Sequence, residues 1–336
     1  MSFIKVKNHV IGKNKTFIIA EIGINHNGKL SVAKTLIDAA KKSGADAAKI
    51  QIINPDDSYD KNTKSYKIFK KNILTYSELK KLSEYSKKRG LLLFATPGDF
   101  SSLEIIRKLK FPLIKISSGL LTNIPLIAEA AKLKKPLIIS TGFANLNEIN
   151  EAVKTIKKYH NQIGILRCTS IYPADNEYLN LSSINTLKKN FKYVIGYSDH
   201  SLGDLACITA VSLGSKIIEK HFTLNKKQSG ADHRLSMNPA EFKLMVKKIR
   251  IVEKSLGNKN VFPTKIEKKI KKFYHRTIVA SETIFRNQKI SKKNILLKRT
   301  NKKGKRMHPR EYFNIIKKKT KKKINKGELI NFKYLK

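Results

Sequence analysis

Little in this chain points out of a reducing compartment or into a membrane. Of 336 residues only two are cysteine, Cys168 and Cys207. No disulfide framework is implied, and a reducing cytoplasm fits. No apolar run approaches the roughly 20 residues of a membrane span. The N-terminal stretch MSFIKVKNHVIGKNKTF lacks a signal peptide's apolar segment. The expected location is cytoplasmic, with no membrane partner. Acidic residues are scarce too: 25 Asp and Glu face 70 Lys and Arg, a formal net charge of +45. That balance admits a nucleic-acid binder. The lysines, however, are scattered through KKSG, LKKLSEYSKKRG and KTIKKYH and seldom interleave with aromatics. Solvated helix faces in a Lys- and Asn-rich chain account for them, with some benefit in attracting an anionic substrate. No nucleic-acid partner is expected.

What is present is a rhythm. From residue 17 to about 254 a short apolar strand is followed by an amphipathic helix, and the cycle restarts. The strand candidates are 17–22, 47–53, 91–96, 112–117, 136–141, 163–168, 193–198 and 216–221. LSVAKTLIDAAKKSG closes on a glycine, and NLNEINEAVKTIKKY opens on an asparagine cap and ends in lysines. Eight such units in series predict an α/β fold, a (β/α)8 TIM barrel. A doubly wound sheet is the runner-up, but GINHNG after the first strand is not the glycine fingerprint of a dinucleotide site. The predicted organisation is a barrel over 1–254 with an N-terminal hairpin capping its floor, a linker over 255–274, and a small β-rich module over 275–336. Its strand-like pieces are TIVASETI, KISKKNILLKRT and KKINKGELI.

In such barrels chemistry sits at the C-terminal ends of the strands. The polar residues there are Glu21, then Lys49 and Gln51, Thr96, Lys115 with Ser117 and Ser118, Ser140 and Thr141. The later strands supply Arg167 with Thr169, Ser170 and Tyr172 beyond it, then Ser198, Asp199 and His200, and finally Glu219, Lys220 and His221. A lysine in an apolar strand is costly unless paired, so Lys49 or Lys115 alone reads as half of a structural ion pair. Two lysines, two histidines and two acids at one rim read instead as a site. Lysines with small hydroxyls suit a phosphate or carboxylate. Two imidazoles suit a divalent transition metal with open positions for substrate oxygens.

The motifs AEIGINHNG, AKIQ, IKISSG, STGFANLNEI, CTSIYPA, GYSDHSLG, IEKHFT and GADHRLSM together resemble the sialic acid (N-acetylneuraminate, nonulosonate) synthase family, over about 17–336. The resemblance implies a TIM barrel followed by a small SAF (antifreeze-like) domain. It implies condensation of phosphoenolpyruvate with an N-acetylated hexose. By position it gives His200 and His221 as ligands of a divalent cation, Mn or Mg. Lys49, Thr96, Lys115, Ser118, Ser170 and Ser198 fall around phosphoenolpyruvate. Glu21 is the acid near the condensing carbons and Glu219 a second acid beside the metal; either suits the role of handling water. Gln51, Tyr172, Asp232, Phe273 and Arg299 fall on the sugar, the last two from the SAF domain of a partner in a domain-exchanged homodimer.

The departures lie on the sugar side. Leu120 stands where an acidic residue is usual, Ser170 where asparagine is common, and RTNKKGKRMHP makes Arg306 a rival to Arg299. Three other functions compete with this one: a Schiff-base aldolase using Lys49 or Lys115, a nucleic-acid binder built on the basic C-terminal module, and an ice-binding role for that module. The charge density of KKKTKKKINKGE does not suit an ice face.

Overall fold

The computed structural model describes residues 3–336. It divides into two compact units, Met1–Gly257 and Asn258–Lys336. The first begins with an antiparallel hairpin of β1 (Ile4–Val6) and β2 (His9–Ile11). Eight parallel strands follow: β3 (Phe17–Gly23), β4 (Ala47–Ile52), β5 (Leu92–Pro97), β6 (Ile114–Ile116), β7 (Leu137–Ser140), β8 (Ile163–Cys168), β9 (Val194–Asp199) and β10 (Ile217–His221). β10 pairs with β3 from Ile217↔Phe17 to His221↔Glu21 and closes the barrel. All eight predicted strands are present, and the doubly wound alternative falls.

Two apolar cores follow from the two faces of each strand. Outward residues such as Ile18, Ile50, Leu93 and Ile139 pack with the helices, for example with Leu36 and Ile37 of Leu30–Lys42. Inward residues Phe17, Ile19, Ala47, Phe94, Leu113, Ile138, Leu166, Val194 and Ile217 fill the lower lumen, where Ile4, Val6 and Ile11 of the hairpin join them. The hairpin therefore fills the floor of the lumen. At Gly196 a Cβ would lie 2.5 Å from the Ile217 carbonyl oxygen and 2.6 Å from Leu166 Cδ2, so β9 approaches its neighbours at a distance open only to glycine.

The helices carry the expected end signals. Asn145 caps Leu146–Lys157 in a reciprocal box with Glu148, and Thr75–Glu78 and Asn238–Glu241 repeat the device. Gly44, with φ +89°, follows the end of Leu30–Lys42.

In the second unit the helix Lys265–Tyr274 occupies much of the stretch read as linker. β11 (Thr277–Ala280) and β12 (Ile295–Lys298) form an antiparallel pair. The third strand-like piece yields only isolated bridges, Ile284↔Ile324 and Val279↔Leu329. A small core of residues including Ile278, Ile284, Ile295, Met307, Ile324 and Leu335 holds the unit together. Among the described residues, no helix is long and apolar enough to cross a membrane.

Candidate active site

Following the inward rows upward, the apolar floor gives way to charge. Phe17 and Ile19 lead to Glu21, Ala47 to Lys49 and Gln51, Phe94 to Thr96, Leu113 to Lys115, Ile138 to Ser140, Ile217 to Glu219 and His221. Period-two alternation thus delivers the polar set to the C-terminal mouth. There Lys49 Nζ lies 3.2 Å from Glu21 Oε2 and 3.3 Å from Glu219 Oε1, and Lys115 Nζ lies 3.6 Å from the same Glu219 oxygen. Lys115 also donates to Ser140 Oγ at 2.6 Å, and Ser198 donates to Glu219 Oε1 at 2.9 Å. Lys49 reaches Thr96 Oγ1 at 3.4 Å, and Gln51 Nε2 donates to Glu21 Oε1 at 3.0 Å. The lysines are therefore paired, and the pairs share one buried cluster.

This environment separates the two carboxylates. Burial pushes Glu21 up to about 7, against the opposing pull of Lys49. Burial would raise Glu219 too, but Lys115 and Lys49 outweigh it and hold that group at about 2. Burial also brings Lys115 down to about 8, whereas at Lys49 the two carboxylates overcome burial and raise it. Two carboxylates pushed in opposite directions are a frequent sign of divided acid–base labour. Glu219 Oε2 and His221 Nδ1 are buried without a hydrogen-bond partner, and both belong to this mouth. Such atoms call for donors or a cation brought by something else.

The imidazoles of His200 and His221 lie 5.4 Å apart between ring centroids. His200 Nδ1 sits 2.7 Å from the Thr169 carbonyl oxygen. A carbonyl only accepts, so Nδ1 carries a proton; burial would lower this ring, but Cys168 and the Thr169 carbonyl outweigh it and raise it. Burial, with His200 and Lys49 nearby, lowers His221 well below its ordinary range, which keeps that ring neutral. Among the described residues no three His, Cys, Asp or Glu form a ready-made metal set. The neutral His221 ring, with its orphaned Nδ1, and His200 beside it do fit a divalent cation that takes its remaining ligands from substrate or water.

The sugar-side candidates of the barrel gather at the same place. Tyr172 lies against His200 at 4.0 Å between centroids, and Asp232 Oδ2 is 3.8 Å from His221 Nδ1. A Cβ on Gly23 (φ +54°) would lie 3.3 to 3.5 Å from Glu21 Oε1, Asp232 Oδ2 and Gln51 Nε2, so these three converge on a backbone without a side chain. Ser118 accepts the Gly142 N–H at 3.0 Å, and a Cβ on Gly142 would sit 2.0 Å from Ser170 Oγ and 2.7 Å from Ser118 Oγ. Gly142 thereby lets the two serines meet. Phe273 lies on the helix of the second unit, where Arg299 covers the Tyr274 ring at 5.4 Å and Arg306 donates to the Thr300 carbonyl at 2.6 Å.

Three rim residues are corrected. Asp199 and Lys220 turn away from the lumen and pair with each other, and Arg167 points outward from β8. Alternation requires this, because each follows or precedes an inward residue. Leu120 packs against the outer core rather than standing free at the mouth. Sequence reasoning missed Gly23 and Gly142, whose contribution is the absence of a side chain.

Residues 36–261 match the NeuB family. An N,N'-diacetyllegionaminic acid synthase of Legionella pneumophila is 38% identical over 319 residues, covering 89% of each chain. A pseudaminic acid synthase of Campylobacter jejuni is 34% identical, covering 94% of this chain and 95% of its own. The crystal structure of an N-acetylneuraminic acid (sialic acid) synthetase from Leptospira borgpetersenii, in complex with citrate, superposes with a TM-score of 0.77 at 36% identity, covering 80% of this chain and 94% of that one.

Proposed function

The chain belongs to the NeuB family, and from that premise we propose that it condenses phosphoenolpyruvate with the open-chain form of an N-acetylated hexose, releasing phosphate. One observation carries this reading: the cluster Glu21–Lys49–Glu219–Lys115 ends beside two imidazoles in one buried mouth. Two ammonium groups and the hydroxyls of Thr96, Ser118, Ser170 and Ser198 suit a phosphate and a carboxylate. Gln51, Tyr172 and Asp232 suit the hydroxyls and amide of a sugar.

In this reaction C3 of phosphoenolpyruvate attacks the aldehyde carbon and forms the new carbon–carbon bond. Water adds at C2, and the C–O bond to phosphate breaks. Lys49 and Lys115 balance the negative charge of the tetrahedral intermediate and of the departing phosphate. Glu219, ionised by its two lysines, fixes their positions. Glu21, raised to about 7, is the better partner for the water's proton at neutral pH. A divalent cation, Mn or Mg, held by His200 and His221 would supply Lewis-acid polarisation of the aldehyde oxygen.

The likeness to N,N'-diacetyllegionaminic acid synthases points to a 2,4-diacetamido-trideoxyhexose as the proposed acceptor, in preference to N-acetylmannosamine. The second unit is proposed to be an SAF domain that completes the site of a second copy of this chain in a domain-exchanged dimer, through Phe273 and Arg299. The proposed place of action is the cytoplasm. The deciding assay is phosphate release from phosphoenolpyruvate against both sugars. Release with neither sugar overturns the activity, and equal kcat/KM for the two overturns the acceptor.

One observation favours a second reading. Burial lowers Lys115 to about 8, as a Schiff-base lysine requires. Borohydride reduction with pyruvate would then label Lys115. The condensation reading expects no label.

A further inference from the structure

Arg167 is a cation in the wrong company. It sits between Leu166, which packs in the lumen, and Cys168, whose thiol is 3.7 Å from His200 Nδ1. Its own side chain therefore leaves the barrel on the outer face of β8. There its guanidinium donates only to neutral acceptors: the Cys168 carbonyl, Thr169 Oγ1 at 3.2 Å and the Leu179 carbonyl at 3.1 Å. Its Nε is buried with no partner. No carboxylate acts on it among the described residues; the nearby ionisable groups are Cys168 and Tyr197. A partly buried charge is normally paired, because withdrawing it from water costs several kcal/mol.

What lies beside this charge is space. A cavity of about 260 Å³ opens between the helices Leu146–Lys157 and Ser183–Asn190, lined by Arg167, Thr141, Asn145, Asn180, Ser183 and Thr186 among others. Its polar lining is hydroxyls, amides and one guanidinium, with no acid. The volume exceeds several waters, each of about 30 Å³.

We propose that this cavity is a binding site for a small oxyanion, a phosphate or a carboxylate, which pairs with Arg167. A guanidinium fork matches either group bidentately. The site is separate from the mouth, since Arg167 and the lysine cluster lie on opposite faces of the barrel wall. It is nonetheless one hydrogen-bonded step from it. Arg167 holds the Thr169 hydroxyl, and the Thr169 carbonyl takes the His200 Nδ1 proton. The proposal is independent of the activity assigned above.

The test is calorimetric titration of the full chain at about 0.15 M salt, where diffuse attraction to a basic surface is largely screened. Inorganic phosphate and pyruvate serve as separate probes. Thr186 is exposed on the helix wall of the cavity, and Thr186→Glu would give Arg167 a carboxylate of its own. The expected result is that wild type binds one more equivalent of at least one probe than Thr186→Glu does, that Thr186→Gln retains that equivalent, and that Arg167→Gln loses it. Which probe supplies the extra equivalent decides between phosphate and carboxylate. Equal stoichiometry in wild type and Thr186→Glu for both probes overturns the site. So does an extra equivalent that survives in folded Arg167→Gln. If Arg167→Gln does not fold, the Thr186 pair still decides.

Discussion

Lys220 Nζ lies 2.6 Å from Asp199 Oδ2, both side chains are fully buried, and the two are register partners on adjacent strands immediately before His221 and His200. The pair is otherwise saturated. Lys220 also donates to the Ser201 carbonyl at 2.5 Å, and Asp199 accepts from Ser201, Tyr197 and Cys207. It clamps the two strand ends from behind the imidazoles. Breaking one half of a buried pair typically costs about 3–5 kcal/mol, because the other charge is left unpaired. Lys220→Met should fall in that range by denaturant unfolding. Lys220→Met with Asp199→Asn removes both charges and keeps an acceptor for Ser201, so it should cost less than Lys220→Met alone. A double variant as unstable as the summed singles would show that the pair is not the clamp.

Cation binding can be followed without turnover. Metal-stripped protein is expected to bind one Co2+ per chain, seen by its visible absorption, and His200→Ala or His221→Ala should weaken this by about 100-fold or more. Chelator should abolish phosphate release and Mn2+ restore it. Full activity in stripped enzyme would remove His200 and His221 from the ligand role.

His26 predicts an acid limb to stability. It is buried, its Nδ1 accepts the Gly28 N–H at 3.1 Å, and burial lowers it from 6.5 to about 4 despite Glu78. The unfolded chain takes up the proton first as pH falls. This stabilising contribution is therefore complete above pH 6.5 and is lost between 6.5 and 4, amounting to about 3 kcal/mol. His26→Asn should remove that slope relative to wild type in unfolding free energies measured across this range. Parallel curves for the two proteins would exclude His26 as its source.

Assembly is tested by complementation. A His221→Ala chain and an Arg299→Ala chain, each inactive, are refolded together. If the second unit acts on a partner's barrel, random pairing gives about a quarter of wild-type sites intact. If it acts within its own chain, the mixture stays as inactive as its parents.

Much of this molecule was legible because period-two alternation is strict. Once Phe17–Gly23 and its seven successors were read as strands, Glu21, Lys49, Lys115, Glu219 and His221 had to share the lumen. The same rule, applied fully, would have turned Asp199, Lys220 and Arg167 outward; listing strand-end polar residues without their parity put them at the rim. Gly23 and Gly142 were illegible because a missing Cβ leaves no chemical signature in a sequence. The second unit was read least well. Its few strands are short, and its third strand-like piece is held by scattered bridges that no periodicity announces.

The hairpin Ile4–Ile11 has a kinetic meaning. With the lower lumen filled by Ile4, Val6 and Ile11, the barrel is a cul-de-sac, and anything bound in its mouth comes and goes by one doorway. Whatever rests among Lys49, Lys115 and Glu219 must leave by the way it came. That restriction is imposed by apolar side chains far from the charged mouth. Cutting the hairpin away would open a back door.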